Sequence, residues 1–242
     1  MITLLAVFLS FIGGFLFANA LNRSDLNALK AENERLKNVQ DDKDSNQSEA
    51  ALTDEEIRSK ITEADQNPTN IEFQKNLGIA LYHYATIKQD AEMMYETARL
   101  LNRVYKHDKN DYDATVMLGN IYFDIGYFKK DNEKFTAARE FYQKALEQKP
   151  NDADVRTDLG LTYFLASPPE MEKAISEFQK SLKANPRHEK TLQVLTEALL
   201  SHNKTEEAES YLAKLKEVNQ NNSSISDLSL QLAGAKSNQQ QR

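Results

Sequence analysis

The sequence predicts an all-α fold, a helical solenoid of about four helix-pair units, and a recurring dipeptide is the main reason. Leu-Gly occurs at 77–78, 118–119 and 159–160, so that successive glycines are 41 residues apart both times. Each dipeptide opens a similar apolar run: LGIALYHY, LGNIYFDI and LGLTYFLA. Because a fixed period of this length is typical of helical repeat arrays, each run is read as the first helix of a repeated pair.

A second amphipathic helix is predicted to follow each first helix. It opens with a small residue and carries a larger one four positions later, at Leu101, Tyr142, Phe178 and Leu212. A glycine inside a helix costs about 1 kcal/mol relative to alanine, so its recurrence indicates close approach of this second helix. Prolines at 68, 150 and 186 are expected to stop the helices that precede them.

The order leucine-glycine, tyrosine, alanine, aromatic, proline resembles the tetratricopeptide repeat (TPR) family, whose unit is about 34 residues. The resemblance covers residues 68–220 in four units. The first two units carry about seven extra residues between their helices, near 85–91 and 126–133, which are expected to form long loops. The fourth has Thr196 in place of glycine, as expected of a terminal repeat.

Short helices are predicted at both ends of the array. Thr53-Asp54-Glu55-Glu56 is a capping-box pattern, which predicts an N-terminal capping helix over 54–67. Residues 221–242 are predicted to form a C-terminal capping helix followed by a disordered tail.

The N-terminal residues 1–21 are predicted to be a transmembrane anchor. Residues 2–21 carry no charge, and this is about the length needed to cross the hydrocarbon core. A cleaved signal peptide is the alternative, with Ala18-Asn19-Ala20 as its cleavage motif, but the basic residues that precede such a segment are missing. A retained single-pass anchor is therefore favoured.

Residues 22–39 fit a short coiled coil, which predicts a parallel homodimer. Its core positions would be Leu26, Leu29, Asn33 and Leu36. Asparagine at a core position is a device that fixes register and two-strandedness. A monomeric amphipathic helix is the alternative, since two to three heptads are marginal alone. Residues 40–53 are rich in Asp, Ser, Asn and Gln and are interpreted as a flexible linker.

Composition disfavours several function classes. The net charge is −7 and no basic stripe is present, so nucleic-acid binding is not expected. The chain has no cysteine, hence no disulfide or thiolate metal site. The four histidines have no partner at metal-ligand spacing, and His188 is interpreted as part of a surface turn. We therefore predict a non-enzyme with no metal and no cofactor.

The resemblance implies a concave groove lined by the first helices, in which a protein or extended peptide binds. Four positions after each glycine stand Tyr82, Phe123 and Phe164, and one position after stand Ile79, Asn120 and Leu161. Three and six positions before it stand Lys75, Val116 and Thr157, and then Glu72, Asp113 and Asp154. The expected groove thus has an aromatic ladder beside an acidic one, suited to an apolar or mildly basic segment.

Two functions remain open from the sequence. One is a membrane-anchored scaffold for assembly of an envelope complex, since the layout resembles the anchored TPR proteins of bacterial cytochrome c maturation. The other is a self-associating structural organiser of a membrane complex. Lys and Arg after the span favour a cytoplasmic domain by the positive-inside rule. The family layout favours an extracytoplasmic, periplasmic domain, which is our expectation, and the cytoplasmic alternative stays open.

Overall fold

The computed structural model describes residues 53–240, and every regular element among them is an α-helix. The helices are α1 Asp54–Gln66, α2 Ile71–Lys88, α3 Ala91–His107, α4 Tyr112–Lys129, α5 Asn132–Gln148, α6 Ala153–Phe164, α7 Met171–Ala184, α8 Glu189–Ser201, α9 Thr205–Val218 and α10 Ile225–Gln240. The all-α prediction is confirmed for this range. The predicted anchor, coiled coil and nearly all of the linker lie outside the described residues. None of the ten described helices is long and apolar enough to cross a lipid bilayer.

The chain divides into two compact units, which meet in sequence at Leu100 and Leu101 within α3. In the N-terminal unit, α1 begins at the predicted capping box. The Thr53 hydroxyl accepts from the Glu56 backbone N–H at 3.2 Å, and the Glu56 carboxylate accepts from the Thr53 N–H at 2.7 Å. These two bonds satisfy amide groups that have no partner inside the helix.

The core of the N-terminal unit joins α1 to α2 and to the first part of α3. It is built from Ile57, Ala64, Leu77, Leu81 and Leu100, with Ile61, Phe73, Tyr84 and Met93 packed against it. Polar contacts hold the same helices together at the edge of this core. Arg99 of α3 makes a two-bond contact with the Asp65 carboxylate, and the Gln74 amide donates to the Ala64 carbonyl at 2.6 Å.

The C-terminal unit consists of helix pairs, α4 with α5, α6 with α7 and α8 with α9, followed by α10 against α8 and α9. Inside two pairs the glycine of the first helix meets an aromatic ring of the second. A Cβ atom built on Gly119 would lie 2.6 Å from Tyr142 Cε1, and one built on Gly160 would lie 2.5 Å from Phe178 Cε1. The predicted close approach at these glycines is confirmed, because no larger side chain fits there.

The first helices begin in the same way along the chain. Asn70, Asp111 and Asp152 stand 41 residues apart, and each side chain accepts from the backbone N–H three residues later. Such an N-cap bond stabilises a helix by about 1 kcal/mol. The 41-residue period therefore sets the helix starts as well as the packing positions.

The extra residues of the first two units do not form long loops. They lengthen the helices: α2 and α4 have 18 residues each, whereas α6 has 12. Only Gln89-Asp90 and Lys130-Asp131 connect the paired helices, with Gln89 and Lys130 in the left-handed region at φ 54°. The loop expectation was wrong because the first helix of each pair continues through most of these residues, to Lys88 and Lys129. The predicted disordered tail is also helical as far as residue 240.

Candidate partner-binding surface

The first helices of the C-terminal unit lie side by side. Helix α6 contacts both α4 and α8, and α8 contacts α10. The second helices α5 and α7 pack against the helices on either side of them, α5 against α4 and α6, and α7 against α6 and α8. The helices α4, α6, α8 and α10 thus form one layer. We call the side of this layer predicted to face a partner the first-helix face, and its predicted members that reach solvent are Asp113, Val116, Asn120 and Asp154.

The aromatic ladder is not accessible. Tyr82, Phe123 and Phe164 are only 4%, 2% and 6% exposed. Their exposed fractions are thus as low as those of the packing residues Leu77, Leu118 and Leu159, whereas residues of an open groove would be more exposed. Phe123 packs against Phe135 of α5, with the ring centres 5.6 Å apart. The expectation of an open aromatic groove was wrong because these rings fill space between helices. A role in binding for the three remains a prediction.

Two further predicted groove residues are buried as well. Leu161 is 3% exposed and Thr157 is fully buried. The Thr157 hydroxyl donates to the Ala153 carbonyl at 2.6 Å and meets the hydroxyls of Ser181 and Thr191. Thr157 is thus part of the packing between helix pairs.

The other predicted residues reach solvent to different degrees. Glu72 and Asp113 are exposed, and those that are half-buried are Lys75, Ile79, Val116, Asn120 and Asp154. Asn120 already has a partner, because its side-chain oxygen accepts from the Tyr142 hydroxyl at 2.9 Å. Among the predicted residues of the C-terminal unit, Asp113 on α4 is therefore the exposed one, and Val116, one turn further along α4, is half-buried.

A polar seam joins α6, α7 and α8. His188 Nε2 lies 3.1 Å from Asp154 Oδ1, and His188 Nδ1 lies 2.5 Å from the Thr191 hydroxyl. Thr191 also meets Thr157 at 2.5 Å and Ser181 at 2.9 Å. The hydrogen bond from His188, followed by its charge and that of Lys190, lowers the pKa of Asp154. His188 is thus a half-buried connector of two helix pairs, and its interpretation as a surface turn was wrong.

The order carboxylate, imidazole, hydroxyl in this seam is also found in nucleophilic enzymes. Here, however, Thr157, Ser181 and Thr191 are all fully buried. A substrate cannot reach these hydroxyls without opening the contact between helix pairs. The seam is therefore structural, and in residues 53–240 no group of three or more His, Asp or Glu side chains is placed to hold a metal ion.

A buried ion pair lies beside the seam. Lys190 Nζ on α8 donates to Asp158 Oδ1 on α6 at 2.5 Å, and both side chains are largely shielded from solvent. Because one partner left alone would be a buried charge without compensation, this pair specifies how α6 and α8 sit against each other. Sequence reasoning missed it, since the two residues are 32 positions apart and carry no local motif.

Glu197, near the end of α8, was also missed. It stands directly after Thr196, the position occupied by Ile79, Asn120 and Leu161 in the earlier units. Glu197 is only 5% exposed. Burial, and to a lesser extent the charge of Asp227, raises its pKa to about 7. The repeat alignment could have found it, because a charged residue at this position is unlike the other three units.

Stacked helix pairs whose first helices form one layer are the architecture of helical-repeat proteins, a class that binds partners on such a surface. Two family models, each described as tetratricopeptide repeat, match residues 118–152 and 170–232. These matches support the tetratricopeptide repeat family that the sequence motifs predicted, for the two segments that they cover. Proteins of this family are typically scaffolds that bind protein partners.

Solved structures agree with this fold. A crystal structure of MamA protein aligns over 68% of this chain and 81% of its own length, at 23% identity and a TM-score of 0.53. MamA 41-end from Desulfovibrio magneticus RS-1 aligns over 70% and 86%, at 20% identity and a TM-score of 0.55. At these identities the likeness shows a shared fold alone. No curated protein matches the chain by sequence.

Proposed function

We propose that this chain is a membrane-anchored TPR scaffold that binds a partner protein or an extended peptide and catalyses no reaction itself. The observation that carries the proposal is the continuous layer formed by α4, α6, α8 and α10. Such a layer presents side chains from four helices to one partner at once. The exposed Asp113 and the half-buried Val116, both on α4, are the residues through which we expect the partner to be contacted.

The anchor and the process served rest on the sequence. Residues 2–21 form an uncharged stretch of spanning length, which would hold the repeats at a membrane surface. The layout of anchor followed by repeats supports an extracytoplasmic domain and a role in assembling an envelope complex, such as that of cytochrome c maturation. The alternative, favoured by the coiled-coil pattern of residues 22–39, is a structural organiser that acts by its own dimerisation.

A double substitution on α4 that changes the charge of the first-helix face tests the scaffold proposal. The full chain, extracted from membranes in detergent after crosslinking, is expected to carry one stoichiometric partner. Asp113→Lys combined with Val116→Glu should reduce that partner by about tenfold or more, since rim charges steer recognition. The matched control, Glu140→Lys with Gln143→Glu, changes exposed positions of α5 and should retain it.

The outcomes separate the candidates. Loss of the partner only in the α4 variant supports the scaffold and its face. Equal capture by both variants places binding elsewhere on the chain. Recovery of the chain with itself alone, and with no second protein, favours the structural organiser.

A further inference from the structure

Glu197 is a buried carboxylate without a hydrogen-bond donor. It is 5% exposed, and among residues 53–240 no hydrogen bond or ion pair reaches it. Every fully inaccessible side-chain nitrogen or oxygen in the same range has a partner. The two Glu197 oxygens therefore still touch solvent.

The other acidic side chains of α6 and α8 are paired. Asp154 has His188, and Asp158 has Lys190. Glu189 accepts from the amide nitrogens of Asn219 at 2.8 Å and Asn222 at 2.7 Å. Glu197 departs from this pattern, although a buried charge without a partner is costly.

A second carboxylate, Asp227, lies on α10, which packs against α8. The stripe Glu189, Gln193, Glu197 runs along the side of α8 toward α10, since Asn222, just before α10, contacts its first two members. The negative charge of Asp227 contributes to the raised pKa of Glu197. Asp227 Oδ2 accepts from Gln231 at 2.7 Å, a neutral donor that brings no positive charge to the Asp227 carboxylate.

We propose that Glu197 and Asp227 form the binding site for one lysine or arginine side chain of the partner protein. A cationic side chain brings several N–H donors and one positive charge, which two adjacent carboxylates require. A divalent metal ion fits less well, because it needs more oxygen ligands than these two residues supply. This inference rests on the proposed scaffold function and specifies the chemistry of the partner.

The test uses a library of random peptides of about 12 residues, the scale of extended segments that bind in grooves. The library is selected on the immobilised full chain, and enriched peptides are synthesised in two forms. One form keeps its lysine or arginine, and the other carries norleucine or citrulline there. Dissociation constants are measured by fluorescence polarisation for the natural chain, for Glu197→Gln and for the control Glu206→Gln on the exposed side of α9.

Enriched peptides are expected to share a basic residue at one position. Glu197→Gln should weaken their binding about tenfold or more, whereas Glu206→Gln should not, because a desolvated charge pair is worth far more than an exposed one. The uncharged peptides should bind the natural chain and Glu197→Gln alike, which also shows that the variant is folded. Enriched peptides that ignore Glu197→Gln overturn this inference and leave the scaffold standing. A selection that enriches no peptide overturns the scaffold proposal together with it.

Discussion

Two kinds of helix contact hold the C-terminal unit together, and they differ in what they tolerate. Inside the pairs α4–α5 and α6–α7, a glycine lies against an aromatic ring, and at that point the contact is steric. Between α6 and α8 the contact is polar, from Asp154 and His188 to the buried hydroxyl of Thr191. The first kind is sensitive to one added atom. The second is sensitive to the loss of a donor or acceptor.

The largest effect should come from filling the glycine contact. In Gly160→Leu even the Cβ atom would lie 2.5 Å from Phe178 Cε1, so the buried ring of Phe178 or the two helices must shift. Overpacking costs about 1–3 kcal/mol in ordinary cores, and a clash within the first side-chain atom should exceed about 3 kcal/mol. Urea unfolding of the full chain, followed by circular dichroism, measures this loss.

Gly234→Leu on α10 is the matched control. Nothing lies within 4 Å of a Cβ atom built there, so the same change should stabilise the helix by up to about 1 kcal/mol. Equal stability of Gly160→Leu and the natural chain would show that the ring of Phe178 moves aside freely, and the steric description of the pair would be wrong.

The contrast between the two contacts explains what the sequence could predict. The glycine and the aromatic residue belong to one repeat and recur at a fixed spacing, so Gly119 with Tyr142 could be anticipated. The polar seam could not, because His188 and Asp154 are 34 positions apart and nothing in either segment indicates the other. The groove aromatics failed for a different reason. Resemblance placed Phe123 on a helix face without showing that Phe135 covers it.

Glu197 on α8 differs from both kinds of contact, because its buried carboxylate has no hydrogen-bond donor among residues 53–240. The folded chain keeps the Glu197 proton up to a pH near 7, whereas the unfolded chain releases it near the ordinary value of 4.5. The folded state thus binds more protons across this window, and stability falls as the pH rises through it. Above pH 7 the whole penalty remains, on the order of 2–3 kcal/mol.

Glu197→Gln should therefore be more stable than the natural chain at pH 8, by about 2–3 kcal/mol, and close to it at pH 4. Urea unfolding at both pH values measures the difference. Glu206→Gln is the control, since the exposed carboxylate of Glu206 is surrounded by water and its removal should change little. A stability gain that is the same at both pH values would rule out ionisation of Glu197 as its cause.

The smallest of the three effects concerns the seam itself. Thr191→Val keeps the shape of the side chain and removes the hydroxyl that His188, Thr157 and Ser181 all contact. In this variant Thr157 and Ser181 can still bond to each other and to the Ala153 carbonyl. The main loss is therefore the hydrogen bond of His188 Nδ1. A partly buried group left unpaired costs about 1–3 kcal/mol, and we expect a loss of about 1–2 kcal/mol in urea unfolding.

Thr196→Val on the same helix is the control. It distinguishes the loss of the hydrogen-bond network from the effect of replacing any buried threonine by valine. Thr196 is also fully buried, but within residues 53–240 its hydroxyl bonds only to the Leu192 carbonyl one turn earlier. Such a local bond competes with the helix and adds little, so Thr196→Val should stay within about 0.5 kcal/mol of the natural chain. If the two valine variants lose the same stability, the hydroxyl of Thr191 contributes no more than any buried threonine. The contact between α6 and α8 would then depend on the Lys190–Asp158 pair and on apolar packing. That ion pair would be the one polar interaction by which this contact differs from the steric contacts inside the helix pairs.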